Sequence, residues 1–231
     1  DLASALRDCQ YMLKNVSIER IWQEFRRILA GQNAAQVLEK MSEDGVLSTI
    51  FGGHEYDLTG QARLADISSD EVVEARLAMM FRADDASGLM KRLTMPKVVI
   101  TGVQELNRCL SHLPNATSVS ELRLYRAVLG SRLNQQLACE SALATSEVEE
   151  VITLLASLPA NVAGDAPLAD GYWIAEMTGL SKGIKLGRLK EWLHRIQIEE
   201  DLPPLAEVEA RLKQLEWQDG EPTEWPRFYW P

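Results

Sequence analysis

The chain has 231 residues, 46% of them hydrophobic, and a formal net charge of −10 at pH 7. This length and hydrophobic content are typical of a folded protein with a real core rather than a disordered chain, and no apolar run approaches the roughly 18–20 residues of a membrane helix. The acidic balance argues against a protein that coats nucleic acid non-specifically, although one face of the fold can still carry a local basic stripe.

The cysteines and the N-terminus indicate the cellular compartment. Cys9, Cys109 and Cys139 are widely spaced and form no CxxC pair, which argues against a zinc site or a disulfide framework and favours free thiols in a reducing cytosol. No signal peptide is visible, so we expect a cytoplasmic protein. Because the sequence begins with Asp1 inside a helix-like pattern, we also expect a fragment or a processed piece.

The first strongly patterned segment starts at Ser17, a residue type that often caps the first turn of a helix. Arg20 and Glu24 lie four residues apart on the charged back of this predicted helix, and we expect them to pair. Apolar residues recur at the spacing of one helix face until Gly31, namely Ile18, Ile21, Trp22, Phe25, Ile28 and Leu29.

Further helices are predicted in an almost unbroken series. Asn33 is expected to cap a helix over 34–44, Pro96 suits the first turn of a helix over 97–113, and Ser118 and Glu121 form a capping box. The other predicted helices cover residues 70–81, 131–143, 146–158, 172–177, 181–200 and 204–215. No run of alternating β-branched residues reaches strand length, so the predicted fold class is all-α, with short connections between neighbouring helices.

The predicted helix over 181–200 carries a basic stripe beside its apolar one. The stripe consists of Lys185, Arg188, Trp192 and Arg195, and Lys182 lies at the helix start. Basic side chains near a helix N-terminus suit phosphate groups, and the indole suits a base. The same residues also fit an ordinary solvated amphipathic helix.

The remaining polar sets give weaker signals. Residues 52–57 (GGHEYD) are expected to form a loop after a helix C-cap rather than a catalytic site. The three histidines have no helical metal-site spacing, and Asp84-Asp85 suits helix N-capping. The proline-rich aromatic end over 225–231 is not a helix; it either folds back on an apolar groove or binds a partner.

Two segments resemble a known family. Residues 17–25 (SIERIWQEF) resemble the SxERIxxEL helix in the neck of bacterial CCA-adding tRNA nucleotidyltransferases and related poly(A) polymerases, and Leu6, Leu13 and Val16 fit the segment before it. Residues 183–189 (GIKLGRL) resemble the family's GxxhGRL, and residues 197–199 (QIE) its QhE. The resemblance covers about residues 1 to 215 and is weak between about 52 and 165.

The resemblance implies an array of neck and body helices plus a small helical tail unit. We expect neck-like helices in 1–52, a helical body in 53–157, and a tail with an aromatic extension in 158–231, with a linker over 158–171. It also implies nucleotide-pocket bracing by Glu19, Arg20 and Glu24. For Lys182, Lys185, Arg188, Trp192 and Arg195 it implies RNA binding.

The family's catalytic carboxylates and its EDxxR segment have no counterpart in the sequence, which contains no Asp-x-Asp. The resemblance therefore implies no catalytic or metal-binding residue here, and a missing head domain, covalent or in trans, with tRNA as partner. The complete enzyme would use Mg²⁺ with CTP and ATP. Two alternatives remain: part of a poly(A) polymerase, or a non-enzymatic all-α module that binds RNA or protein.

Overall fold

The computed structural model describes residues 10–64, 69–83 and 86–231. The predictions about Asp1, Leu6, Cys9 and Asp84-Asp85 lie outside the described residues. In the described part the chain forms helices and no β-strand, which confirms the predicted all-α fold. The α-helices are α1 (Ile18–Leu29), α2 (Ala34–Glu43), α3 (Val46–Phe51), α4 (Ser69–Met80), α5 (Ser87–Arg92), α6 (Lys97–Cys109), α7 (Val119–Leu129), α8 (Leu133–Leu143), α9 (Val148–Ser157), α10 (Gly171–Thr178), α11 (Ile184–Glu200) and α12 (Leu205–Gln214). Short 3-10 segments occur at Gln10–Asn15, Gln61–Arg63 and Gly130–Arg132.

Two predicted helix caps are present. The Ser17 hydroxyl accepts from the Arg20 N–H at 3.4 Å, and the Ser118 hydroxyl accepts from the Glu121 N–H at 3.3 Å. The Glu121 carboxylate, however, accepts from the backbone N–H of Asn115 at 2.9 Å instead of closing the capping box. Both caps satisfy a backbone donor that the first turn leaves unpaired, which fixes where α1 and α7 begin.

The ends of α2 and α6 differ in detail from the prediction. Asn33 precedes α2 but makes no side-chain cap hydrogen bond. Pro96 lies before α6 in an extended conformation (ψ 142°) rather than in its first turn, and α6 ends at Cys109 rather than near residue 113. The early end has a tertiary cause, because Ser111 adopts φ 63° and donates its N–H to the buried Glu140 carboxylate at 2.8 Å.

Two helices of six residues each, α3 and α5, were not predicted. Six residues are under two turns, so they carry too few apolar repeats to show a helical period. Gly52 ends α3 in the left-handed conformation (φ 62°), which confirms the predicted C-cap and loop at residues 52–57.

The chain divides into two compact units. The first consists of residues up to Leu113 together with Arg132–Val148, and the second of Pro114–Ser131 together with Glu149–Pro231. The predicted division into a neck (1–52), a body (53–157) and a tail (158–231) follows the resemblance to the family and stays a prediction.

The first unit is built around α4, which packs against α1, α6 and α8. Phe51 lies at the centre of an aromatic cluster, with edge-to-face contacts to Phe25, Tyr56 and Phe81 at centroid distances of 5.6, 5.3 and 5.2 Å. Such contacts add to the hydrophobic stabilisation of the buried rings. Because Phe25 belongs to α1 and Phe81 follows α4, the cluster fixes α1 on the core of this unit.

In the second unit, α11 packs against α7, α10 and α12. Its apolar stripe is buried, with Leu189 and Leu193 joining Ile174 and Trp225 in one core cluster. The segment predicted as a linker over 158–171 lies within this unit and contains no helix before Gly171, where α10 begins. Arg126 holds its start by donating to the Leu158 carbonyl at 2.8 Å.

Candidate nucleic-acid interface

The α1 helix has a buried face and a face that borders a groove. Trp22, Phe25 and Leu29 are buried, as the apolar spacing predicts. The next positions around the helix, Glu19, Gln23, Arg26 and Arg27, line the groove. The amphipathic pattern therefore places α1 in the core while leaving a polar, arginine-containing edge beside a cavity.

The groove lies between α1 and the segment that leads into α6, and we call it the α1 groove. Its volume is about 840 Å³, and its lining consists of Glu19, Trp22, Gln23, Arg26, Arg27, Ala30, Thr94, Pro96, Val98 and Val99. Apolar atoms form most of this lining, and Val98 is 66% exposed. The groove therefore combines an apolar floor with an arginine edge.

The sequence around the wall opposite α1 is locally basic in an acidic protein. Residues 87–98 contain Lys91, Arg92 and Lys97 and no carboxylate. Arg92 donates to the Ile50 carbonyl at 2.9 Å, whereas Lys91 and Lys97 are exposed. Lys91, Arg92 and Lys97 do not themselves line the groove, so the cations that a phosphate group would meet in its lining are Arg26 and Arg27 of α1.

The three pocket-bracing residues predicted on α1 lie on different sides of the helix. Glu19 lines the α1 groove, but Arg20 and Glu24 lie on the exposed back of the helix and do not line it. The expected Arg20–Glu24 pair was wrong, because Glu24 pairs with Arg27 at 3.0 Å. Both partners are well exposed, so this pair adds little to stability. A bracing role for these three residues stays a prediction.

The basic stripe of α11 is occupied by the chain's own backbone. Lys185 Nζ donates to the Gln218 carbonyl at 2.7 Å, and Arg188 donates to the carbonyls of Pro222 at 2.9 Å and Trp225 at 2.7 Å. The sequence placed these cations on one face correctly. Their observed partners are carbonyl oxygens of the C-terminal segment and, for Arg188, also the Glu191 carboxylate at 2.8 Å.

Arg195 and Trp192, also in the basic stripe, contact the C-terminal segment as well. Arg195 donates to Glu199 at 2.7 Å and to the Arg227 carbonyl at 3.3 Å, and the Trp192 ring lies 5.6 Å from that of Trp225. Lys182 precedes α11 and is exposed. The predicted RNA-binding role of the five residues stays a prediction, and four of them contact the C-terminal segment.

The aromatic C-terminal segment, residues 216–231, folds back on the second unit without forming a helix. Trp225 and Trp230 are buried, and the Trp230 ring meets Tyr125 edge-on at 5.5 Å. Phe228 stacks on His194 at 3.9 Å. The segment is thus part of the packing of this unit.

The buried thiols carry no sign of reactivity. Cys109 and Cys139 are buried thiols that are not in a disulfide, and burial raises the pKa of the Cys139 thiol to about 12. A thiol with so high a pKa is protonated at neutral pH and is a poor nucleophile or metal ligand.

Among the described helices, none has both the length and the apolar composition to cross a membrane.

Sequence reasoning missed most of the α1 groove. Arg26, Thr94, Val98 and Val99 were not singled out, because neither wall carries a motif by itself. One signal was available: residues 87–98 hold three cations without a carboxylate in a chain with net charge −10.

Residues 1–58 match the family model described as "probable RNA and SrmB-binding site of polymerase A". Helix α1 lies inside the matched part, and the opposite wall of the groove lies outside it. No curated protein and no solved structure gives a significant match to the chain. The family match supports an RNA-binding role in a protein of the poly(A)/CCA polymerase type.

Proposed function

We propose that this chain is the RNA-binding helical portion of a poly(A)/CCA-type nucleotidyltransferase, and that it holds RNA at the α1 groove. The observation that carries the proposal is the position of α1, which belongs to the part matching the polymerase A RNA-binding family and presents Arg26 and Arg27 at the groove. Lys91, Arg92 and Lys97 lie close in sequence to Thr94 and Pro96, which line the other wall.

The finer assignment follows the resemblance of residues 17–25 and 183–189. On that resemblance we assign the chain to a CCA-adding enzyme that matures tRNA 3′ ends, and the alternative is a poly(A)-adding enzyme. The described residues offer no group of three or more His, Cys, Asp or Glu side chains for a metal ion. The proposal therefore assigns Mg²⁺, CTP and ATP to a head domain, covalent or in trans, and assigns RNA positioning to this chain.

The α11 stripe is a second, conditional part of the proposal. Contact between RNA and Lys185, Arg188 or Arg195 requires their carbonyl partners in the C-terminal segment to move away. Lys182 needs no such movement, because it is exposed. The α1 groove therefore ranks first as the RNA-binding surface.

A triple variant, Arg27→Gln with Lys91→Gln and Lys97→Gln, tests the groove as an RNA site. The ligand is a labelled tRNA transcript that ends at its discriminator base, titrated at several salt concentrations. Each lost phosphate contact reduces the slope of log affinity against log salt by about 0.7 to 0.9. We expect the slope to become shallower by about 2 and the affinity at low salt to fall by roughly 10- to 100-fold.

The matched control removes three cations outside the groove, through Arg63→Gln, Arg211→Gln and Lys213→Gln. It changes the net charge equally but leaves the groove intact, so we expect a slope close to that of the unchanged protein. The proposal fails if the unchanged protein binds the transcript without salt dependence, or if both triple variants lose affinity to the same extent.

A further inference from the structure

We propose that the C-terminal segment is an intramolecular competitor of RNA on α11. In the closed form the segment covers the basic stripe, and RNA reaches the stripe only when the segment opens from its last residues. This inference rests on the proposed function, since it concerns how RNA binding by the same chain is regulated. It goes beyond that function by assigning a role to the segment itself.

The backbone of the segment follows α11 in the way that a nucleic-acid strand follows a basic surface. Its carbonyl oxygens accept from the cations in the same order along both elements: Gln218 from Lys185, Pro222 and Trp225 from Arg188, and Arg227 from Arg195. These are charge-assisted hydrogen bonds to oxygen, the kind that Lys and Arg also form with phosphate groups. The segment and an RNA backbone therefore need the same donors and exclude each other.

The segment also places aromatic rings where a strand would place bases. The Phe228 ring stacks on His194, with centroids 3.9 Å apart and ring planes inclined by 21°. The Trp225 ring lies 5.6 Å from that of Trp192, with an angle of 38° between the planes. A base stacks on an aromatic side chain in a similar near-parallel arrangement. A nucleotide docked on this part of α11 would therefore displace Phe228 from His194.

Closure of the segment changes the charge that α11 presents to a polyanion. Residues 216–231 contain four carboxylates and a single basic side chain, Arg227. All four carboxylates are exposed, namely Glu216, Asp219, Glu221 and Glu224. An approaching phosphate backbone would meet these negative charges while the cations below already donate to carbonyls. The closed form therefore repels RNA, and the open form attracts it.

The last residues of the segment are the part that opens most easily. The hydrogen bond from Arg195 to the Arg227 carbonyl, at 3.3 Å, is longer than the bonds of 2.7–2.9 Å nearer the start of the segment. Beyond Trp225 only Trp230 is buried, and its ring rests on Tyr125. Loss of the Trp230 contact therefore releases Arg195 while Trp225 stays in the core.

The test opens the segment and measures affinity for the labelled tRNA transcript at several salt concentrations. For Trp230→Ala we expect the affinity at low salt to rise about three- to tenfold, with a salt slope steeper by about 0.7 to 0.9, equivalent to one phosphate contact. Adding Arg195→Gln should cancel the gain, whereas Arg195→Gln alone should leave the affinity of the closed chain unchanged. Phe228→Ala removes a half-buried ring at the same end in a protein that stays folded, and we expect a gain of about two- to fivefold.

Two controls accompany these variants. Trp230→Phe keeps a ring against Tyr125 and should bind RNA as the unchanged protein does. Ile174→Ala creates a cavity in the same unit but leaves every residue of the segment unchanged. A gain in Ile174→Ala equal to that in Trp230→Ala overturns the inference, because general loosening of the unit would then be the cause.

The remaining outcomes separate this inference from the proposed function. If neither Trp230→Ala nor Phe228→Ala gains affinity while the unchanged protein binds with salt dependence, the inference is overturned and the proposed function stands. A gain that survives Arg195→Gln also overturns the inference, since the new contacts would then lie away from the stripe. The absence of salt-dependent binding in all of these proteins defeats the proposed function itself.

Discussion

Helices α1 and α11 show how one sequence pattern leads to two different surfaces. Both bury an apolar stripe and carry arginines beside it. On α1, Arg27 pairs only locally with Glu24 at the border of an open groove, whereas on α11 Arg188 donates to two carbonyls of the C-terminal segment. A basic stripe in the sequence therefore identifies a surface that binds oxygen acceptors. It does not show whether those acceptors belong to the same chain or to a partner.

The physical cause is the backbone of the C-terminal segment. Residues 216–231 contain no helix, so their carbonyl groups have no intrahelical donors. Carbonyls packed against a unit need partners, and the long cationic side chains of α11 reach them. The wall opposite α1 begins with α6, where the Pro96 carbonyl already accepts from Ile100 at 3.1 Å.

The largest expected effect comes from Trp225→Ala. Trp225 is only 6% exposed, belongs to the core of the second unit and contacts Trp192. Removing a buried tryptophan leaves a cavity, so we expect the free energy of unfolding to fall by about 3–5 kcal/mol. Urea denaturation followed by circular dichroism measures it.

The control for this variant is Tyr172→Ala, because Tyr172 is an aromatic residue in the same unit that is 89% exposed. We expect its change to stay within about 0.5 kcal/mol. Equal effects of the two variants would mean that the C-terminal segment does not pack as described, and the α11 stripe would then be as accessible as the α1 groove.

A smaller effect separates the arginines of the two helices. Arg188→Gln removes charge-assisted hydrogen bonds to Pro222 and Trp225 and the pair with Glu191 from a partly buried site. We expect a loss of about 1.5–3 kcal/mol in the free energy of unfolding. Arg27→Gln removes only an exposed pair with Glu24, and we expect a change within about 0.5 kcal/mol. The same urea titrations compare the two variants.

If Arg27→Gln lowered the free energy of unfolding more than Arg188→Gln, the proposed difference between the exposed arginine of α1 and the partnered arginine of α11 would be wrong. RNA affinity provides a second readout on the same proteins. Arg27→Gln should weaken salt-dependent RNA binding while Arg188→Gln leaves it unchanged, provided that the Arg188 variant is tested well below its unfolding midpoint.

The fold was predictable to the extent that its signals are local. Ser17 and Ser118 start their helices where the sequence predicts, because a cap and its first turn lie within four residues of each other. The helices α3 and α5 were missed, since six residues carry no clear period. The end of α6 was missed because Glu140, 29 residues after Ser111, accepts the Ser111 N–H.

The candidate site was less predictable, because its parts are distant in the sequence. Helical spacing placed Lys185 and Arg188 on one face, but no local pattern shows that carbonyls more than 30 residues later would accept from them. The sequence placed Val98 only within the predicted helix over 97–113. Only the packing of the α6 start opposite α1 turns its exposed side chain into the floor of a groove.

The smallest expected effect concerns pH and again distinguishes the two helices. His194 on α11 stacks on Phe228 and contacts the Asp165 carbonyl at 2.9 Å. Burial lowers the pKa of His194 below its usual 6.5, with a minor contribution from Lys190 that is opposed by the bond to Asp165. The unfolded chain therefore binds the proton more tightly, so stability falls as pH decreases through 6.5 towards the lower pKa of the folded state and is constant above 6.5.

The measurement compares unfolding free energies of the unchanged protein and His194→Gln between pH 5.5 and 7.5. The glutamine keeps a donor for the Asp165 carbonyl but does not titrate, so the decrease of stability towards pH 5.5 should be smaller in the variant. Helix α1 contains no histidine, so RNA binding at the groove should show no matching change from His194→Gln. An unchanged pH profile in the variant would mean that His194 is hydrated in the folded state, and the contact between Phe228 and α11 would then not exclude water as the covered stripe requires.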